Sequence, residues 1–154
     1  MALLLLLLVP AGLLATPALL GSGLAALIRS GRRGWLTALA GLLGACAVGF
    51  YTWGLLHVAG AVLEAEDGGA WSSPLPPCRT AAAGERVAHV VDYTVSYVPL
   101  GFVCESTGGG GYDSGSVPGY VNPAALGFGL AGVAAVAAGR RAAVSRSAAG
   151  PSPS

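Results

Sequence analysis

Three arginines, Arg29, Arg32 and Arg33, stand between two long runs with no acidic residue, arginine or lysine. The first run is Ala2–Ile28 and the second is Trp35–Leu63. Each exceeds the roughly 20 apolar residues needed to cross a bilayer core. A guanidinium held at the centre of a bilayer costs roughly 2.5–3.5 kcal/mol, so the arginines cannot be part of one continuous buried element. The chain is expected to turn at them, in water, and Ser30, Gly31 and Gly34 permit the turn. Pro10 and Pro17 fall inside the first run, where a membrane helix tolerates them as kinks. A third apolar run, Pro123–Gly139, lies near the short limit for a span.

Charge patterning gives these runs a direction. Charged residues make up 10% of the 154-residue chain, against about 25% in an ordinary soluble domain. All seven acidic residues fall between Glu64 and Asp113. Only Arg79 and Arg86 share that stretch, which therefore carries 2 − 7 = −5. The remaining arginines lie in 29–34 and in the tail, at Arg140, Arg141 and Arg146. Short arginine-rich loops stay cytoplasmic. Two spans separate the arginine clusters, so one threading satisfies both.

The expectation is an all-α membrane protein with its N-terminus outside. Its first span is 1–28, its cytoplasmic loop 29–34 and its second span 35–63. An extracytoplasmic loop, 64–122, leads into a third span, 123–139, and a disordered basic cytoplasmic tail, 140–154. A cleaved signal peptide is the rival reading of the first run. Such a peptide begins with a positive segment, which "MALLLLLL" lacks apart from its α-amino group. Cleavage would also put both arginine clusters on the wrong side.

The loop 64–122 is the part that can hold a soluble fold. It contains Cys78 and Cys104. On the outer side they form either a disulfide or two free thiols, and the oxidising compartment favours the disulfide. "RVAHVVDYTVSYV" alternates: Val87, His89, Val91, Tyr93, Val95 and Tyr97 share one face, and Ala88, Val90, Asp92, Thr94, Ser96 and Val98 the other. This predicts a strand, with "PLG" turning it into a second short strand, "FVCE". The apolar face of that hairpin either packs on the rest of the protein or serves a partner. "STGGGGYDSGS" reads as a mobile loop. Asn122 before Pro123 reads as a helix N-cap and first helical residue.

Little in the chain suggests chemistry. It has no Cys-x-x-Cys and no Gly-x-x-x-x-Gly-Lys-Ser/Thr. His57 lies towards the outer end of the second span and His89 in the predicted strand, and no spacing groups them with other ligands. Cys46 reads as a small buried apolar residue. No enzyme activity, cofactor, metal or nucleic-acid partner is expected. Small residues recur every four positions at Gly127, Ala131, Ala135 and Gly139, and similar stripes occur in the other two runs. Such stripes let helix backbones approach closely, either within the chain or against a second copy or another membrane protein.

The runs "DYTVSYVPLGFVCES" and "GYDSGSVPGYVNPAALGF", between Asp92 and Phe128, resemble the outer loop of small uncharacterised integral membrane proteins of actinobacteria. The resemblance implies a multi-pass protein of a bacterial plasma membrane and carries no activity with it. The expected role is structural or interactive, as an accessory subunit or envelope protein. The alternative is a subunit of an oligomeric transporter or channel, since three apolar helices cannot line a polar path alone.

Overall fold

A computed structural model of the chain describes residues 2–30, 34–67, 75–79, 90–107 and 110–148. Three helices dominate: α1 (Ala2–Ser30), α2 (Trp35–Asp67) and α3 (Val121–Ala148). Each is long and apolar enough to cross a membrane. Between α2 and α3 come a short 3-10 turn, Pro76–Cys78, and three strands: β1 (Val90–Tyr97), β2 (Leu100–Ser106) and β3 (Gly111–Asp113). The strands form one antiparallel sheet in the order β1-β2-β3. The protein is therefore mostly helical with a small sheet, in which a third strand extends the expected hairpin.

Helices α2 and α3 run beyond the apolar runs they contain. Helix α2 runs past Leu63 to Asp67. Helix α3 begins at Val121 and runs through Arg140 and Arg141 to Ala148, where a disordered tail is expected from 140 onward. No proline or glycine falls between Arg140 and Ala148. Alanine and arginine are strong helix formers, and cations suit the negative end of a helix. Residues 149–154 lie outside the described residues.

The chain divides into two compact units, Met1–Ala11 with Phe50–Pro123 and Gly12–Gly49 with Ala124–Ser154. The second unit is purely helical. Its tightest contact joins α1 to α2 at two glycines. A methyl group on Gly41 would stand 2.9 Å from the Gly23 Cα and 3.0 Å from the Leu19 carbonyl oxygen. One on Gly23 would stand 3.1 Å from the Ala38 oxygen. These are backbone atoms, which cannot move aside as a side chain does. Gly41→Val is therefore expected to push the two helices apart, at a cost of about 1–3 kcal/mol. Gly44→Ala, whose new methyl meets only Leu19 methyl groups at 3.7 Å, should be near neutral. Denaturation in detergent, followed by circular dichroism, reads the difference.

On α3 only the second half of the expected stripe packs within the chain. Ala135 is buried, and a Cβ on Gly139 would lie 3.7 Å from Leu36 Cβ. Gly127 and Ala131 are exposed, and a Cβ on Gly127 would meet nothing within 4 Å. The buried glycine is Gly132, where a Cβ would stand 3.5 Å from Leu43 Cβ and 3.6 Å from the Gly44 nitrogen. The cause is helical pitch. At 3.6 residues per turn, a strict four-residue repeat drifts around the helix, so its first half leaves the face that its second half occupies.

The first unit packs the sheet on one stripe of α2. Leu55, Val58, Val95, Leu100 and Val121 form one buried cluster, joined by Leu5 of α1 and by Val117. Ala61, Ala65, Val90, Phe102 and the two cysteines Cys78 and Cys104 form a second. On β2 the alternate residues Leu100, Phe102 and Cys104 are almost wholly buried. Tyr93, Val95 and Tyr97 of β1 pair with Cys104, Phe102 and Leu100 and share their face, as the alternation predicts. The alternation fails at Val91. A bulge between Val90 and Asp92 sets two residues against one on β2. Val90 is consequently buried and Val91 is 63% exposed. Residues 81–89, including His89 and the expected start of the strand, lie outside the described residues.

Candidate functional site

The sheet unit is tied to the turn Pro76–Cys78 by one covalent bridge and a hydrogen bond, and to α2 by further hydrogen bonds. Cys78 and Cys104 are joined with a Cα–Cα distance of 6.0 Å, and both are fully buried. The short turn that presents Cys78 closes with Cys78 N–H donating to the Leu75 oxygen at 2.9 Å. Tyr112 of β3 donates its hydroxyl to the Cys78 carbonyl at 2.7 Å. Within the glycine-rich segment, Gly111–Asp113 form a strand where a mobile loop is expected. Gly111 is needed there, since a Cβ would stand 2.7 Å from Val103 Cγ1.

Two further tyrosines tie the hairpin to α2. Tyr51 donates to the Tyr97 carbonyl at 3.0 Å. Tyr93 donates to a Glu66 carboxylate oxygen, and its ring stacks on Phe102 at 4.8 Å. That hydrogen bond to Glu66, followed by burial and the nearby negative charge, pushes the Tyr93 phenol up to about 12. A tyrosine with a raised pKa stabilises the fold fully below its ordinary value near 10, and the contribution is lost as pH rises towards 12. An ultraviolet titration should therefore show a late tyrosinate step near 12 that Tyr93→Phe removes; an unchanged curve would contradict the assignment.

Asn122 does something different from the capping role expected of it. It lies inside the first turn of α3, which starts at Val121. Its Oδ1 accepts from Leu100 N–H and its Nδ2 donates to Leu100 O, both at 2.9 Å. This side-chain amide pairs with the hairpin backbone as a neighbouring strand would. The turn before it, Val98–Pro99, carries a cis peptide bond and leaves Val98 89% exposed. Gly54 makes room for the hairpin on α2: a Cβ there would stand 2.6 Å from Leu100 Cδ2 and 2.7 Å from Val121 Cγ1.

The other sequence candidates are scattered. Arg29 is exposed in the last turn of α1, and Arg140 and Arg141 are exposed on α3. Arg32 and Arg33 lie outside the described residues. Cys46 is a free, half-buried thiol. His57 makes an edge-to-face contact with Trp53 at 4.9 Å, and its shielded Nε2 has no hydrogen-bond partner. Among the described residues no three His, Cys, Asp or Glu side chains gather as a metal site would require. Ser116, beside the same hollow as His57 and Glu64, spends its hydroxyl on Ser114 at 2.6 Å. No family model, curated protein or solved structure matches the chain.

Of the residues that hold this geometry, the cysteine pair was legible in the sequence. The close approaches at Gly23, Gly41 and Gly54 and the polar pins Tyr51, Tyr93, Tyr112 and Asn122 were not, because each contact joins segments far apart in the chain.

Proposed function

We propose that the chain is a three-span protein of a bacterial plasma membrane with its N-terminus and its sheet unit outside. Its role is structural or interactive, as an accessory subunit or envelope protein that presents the disulfide-pinned cap to a partner. The observation that carries this reading is the division of charge. Every described acidic residue belongs to the unit Met1–Ala11 with Phe50–Pro123. Among the described arginines, Arg29, Arg140, Arg141 and Arg146 belong to the other unit, and Arg79 alone shares the acidic one. A bilayer enforces such a partition, because arginine is retained on the cytoplasmic side. The disulfide supports the same orientation, since disulfides persist in the extracytoplasmic space. The exposed leucines of α1 and the exposed leucines and valines of α3 suit contact with lipid tails.

Protease protection tests the orientation. Protease added to sealed, right-side-out cells should cut near Tyr112 and spare the segment around Arg141. Cleavage near Arg141 without permeabilisation, or protection of Tyr112, would reverse the topology.

A further inference from the structure

We infer that the turn joining β1 to β2, Val98–Pro99, dips into the outer lipid surface of the membrane, level with Trp53 on α2 and Tyr120 before α3. The inference rests on the membrane reading above and goes beyond it by naming what covers this apolar tip. It also moves the outer boundary of the second span from Leu63 to the neighbourhood of Gly54.

Helix lengths set the level. Helix α2 has 33 residues, which rise roughly 50 Å, whereas the hydrocarbon core is about 30 Å thick. About 20 residues cross that core, and counted from Trp35 they end near Gly54. Helix α3 gives a matching length. It carries no charge from Val121 to Gly139, a rise of roughly 28 Å. Contacts tie the two counts together. A Cβ on Gly139 would lie 3.7 Å from Leu36 Cβ, and one on Gly54 would lie 2.7 Å from Val121 Cγ1. The hairpin reaches this level from the outer side. Val90 clusters with Ala61 and Ala65, while the Tyr97 carbonyl accepts from Tyr51 and Leu100 lies against Gly54. Strand β1 therefore runs from the outer end of α2 back towards its middle, with the turn as its leading point.

The groups found at that level suit lipid. Val98, Trp53 and Tyr120 are all exposed, and tryptophan and tyrosine favour the membrane–water interface. The exposed Leu3, Leu4, Leu6 and Leu7 of α1 flank Leu5, which packs in the cluster of Leu55 and Val58. Backbone polar groups that enter lipid need partners within the protein. Around the turn such partners are in place: Tyr51 donates to the Tyr97 oxygen, Ser96 donates to the Pro99 oxygen at 2.6 Å, and Asn122 pairs with both backbone groups of Leu100. Pro99 itself has no N–H to satisfy. Glu66 and Glu105 lie farther from the turn, accepting from Tyr93 and Thr94. Asp113, beside Gly101, accepts from Gly115 N–H at 2.8 Å.

The test uses the full chain with Cys46→Ala and one added cysteine, Val98→Cys, Tyr120→Cys or Leu63→Cys, without reductant so that the Cys78–Cys104 bridge is kept. Apolar surroundings raise the pKa of a thiol, and each unit removes about tenfold of the reactive thiolate. In intact cells a membrane-impermeant maleimide should therefore label Val98→Cys and Tyr120→Cys about tenfold more slowly than Leu63→Cys, although Val98 is the most exposed of the three within the chain. In phosphatidylcholine nanodiscs holding the purified protein, a bimane on Val98→Cys should be quenched by nitroxide-bearing lipid and not by aqueous iodide, and one on Leu63→Cys the reverse. Equal labelling of Val98→Cys and Leu63→Cys, fast or slow, would overturn the proposal. Slow labelling in cells that becomes fast in nanodiscs would assign the tip to a protein partner and overturn it too. Should Val98→Cys fail to keep the bridge, Tyr120→Cys gives the same reading. Carbonate extraction separates the two levels of inference: a protein that stays in the membrane with equal labelling refutes the dipping turn alone, and one released by carbonate refutes the membrane reading and the turn together.

Discussion

Replacing Cys78 and Cys104 with alanine is expected to strip the cap of roughly 3–4 kcal/mol. The bridge spans a sequence separation of 26 residues, and the value follows from the chain entropy that such a closure removes from the unfolded state. The sheet unit is small, and much of its apolar surface is buried only against α2 and the two sulfurs. A loss of this size is large beside the total stability of a small unit. Limited proteolysis of the protein in its membrane, with and without reductant, provides the readout. The cap between β1 and β3 should become cleavable while helix content is retained. Either single substitution should behave as the double one does, because each abolishes the same bond. A double variant as resistant as the wild type would show that packing alone holds the unit.

The second large effect is expected at Asn122. Asn122→Ala removes both partners of the Leu100 backbone, whose residue is 1% exposed. A buried backbone group left unpaired costs about 1–3 kcal/mol, so the pair should cost about 2–5 kcal/mol together. The most direct evidence would come from hydrogen exchange at the Leu100 amide, which should lose its protection by a larger factor than the amides of β3. Unchanged exchange at that amide would mean that water or another group replaces the asparagine.

The helices were legible from sequence because hydropathy is a local property. Runs such as Ala2–Ile28 and Trp35–Leu63 leave little alternative to long apolar helices. The hairpin core from Tyr93 to Phe102 was legible because alternation acts over a few residues, and the cysteine pair because the expected compartment is oxidising. What escaped notice depends on contacts between distant segments or on single-residue irregularities. A bulge at Val91 inserts one residue and inverts the face of Val90 without any change of composition. Asn122 followed by proline carries a local capping signal, yet its amide serves a hairpin 22 residues earlier. The α3 stripe packs within the chain only at Ala135 and Gly139, because an alanine- and glycine-rich helix offers several stripes and the facing surface selects one.

The way the cap is built also bears on whether it can exist apart from its helices. Its interior includes Leu55, Val58, Ala61 and Ala65 of α2 and Val121 of α3, and its hairpin backbone is completed by Asn122. A fragment limited to the segment between α2 and α3 would lack one wall of its own core. The cap is accordingly not separable from α2 and α3, and anything that recognises its folded shape must meet it with those helices still attached.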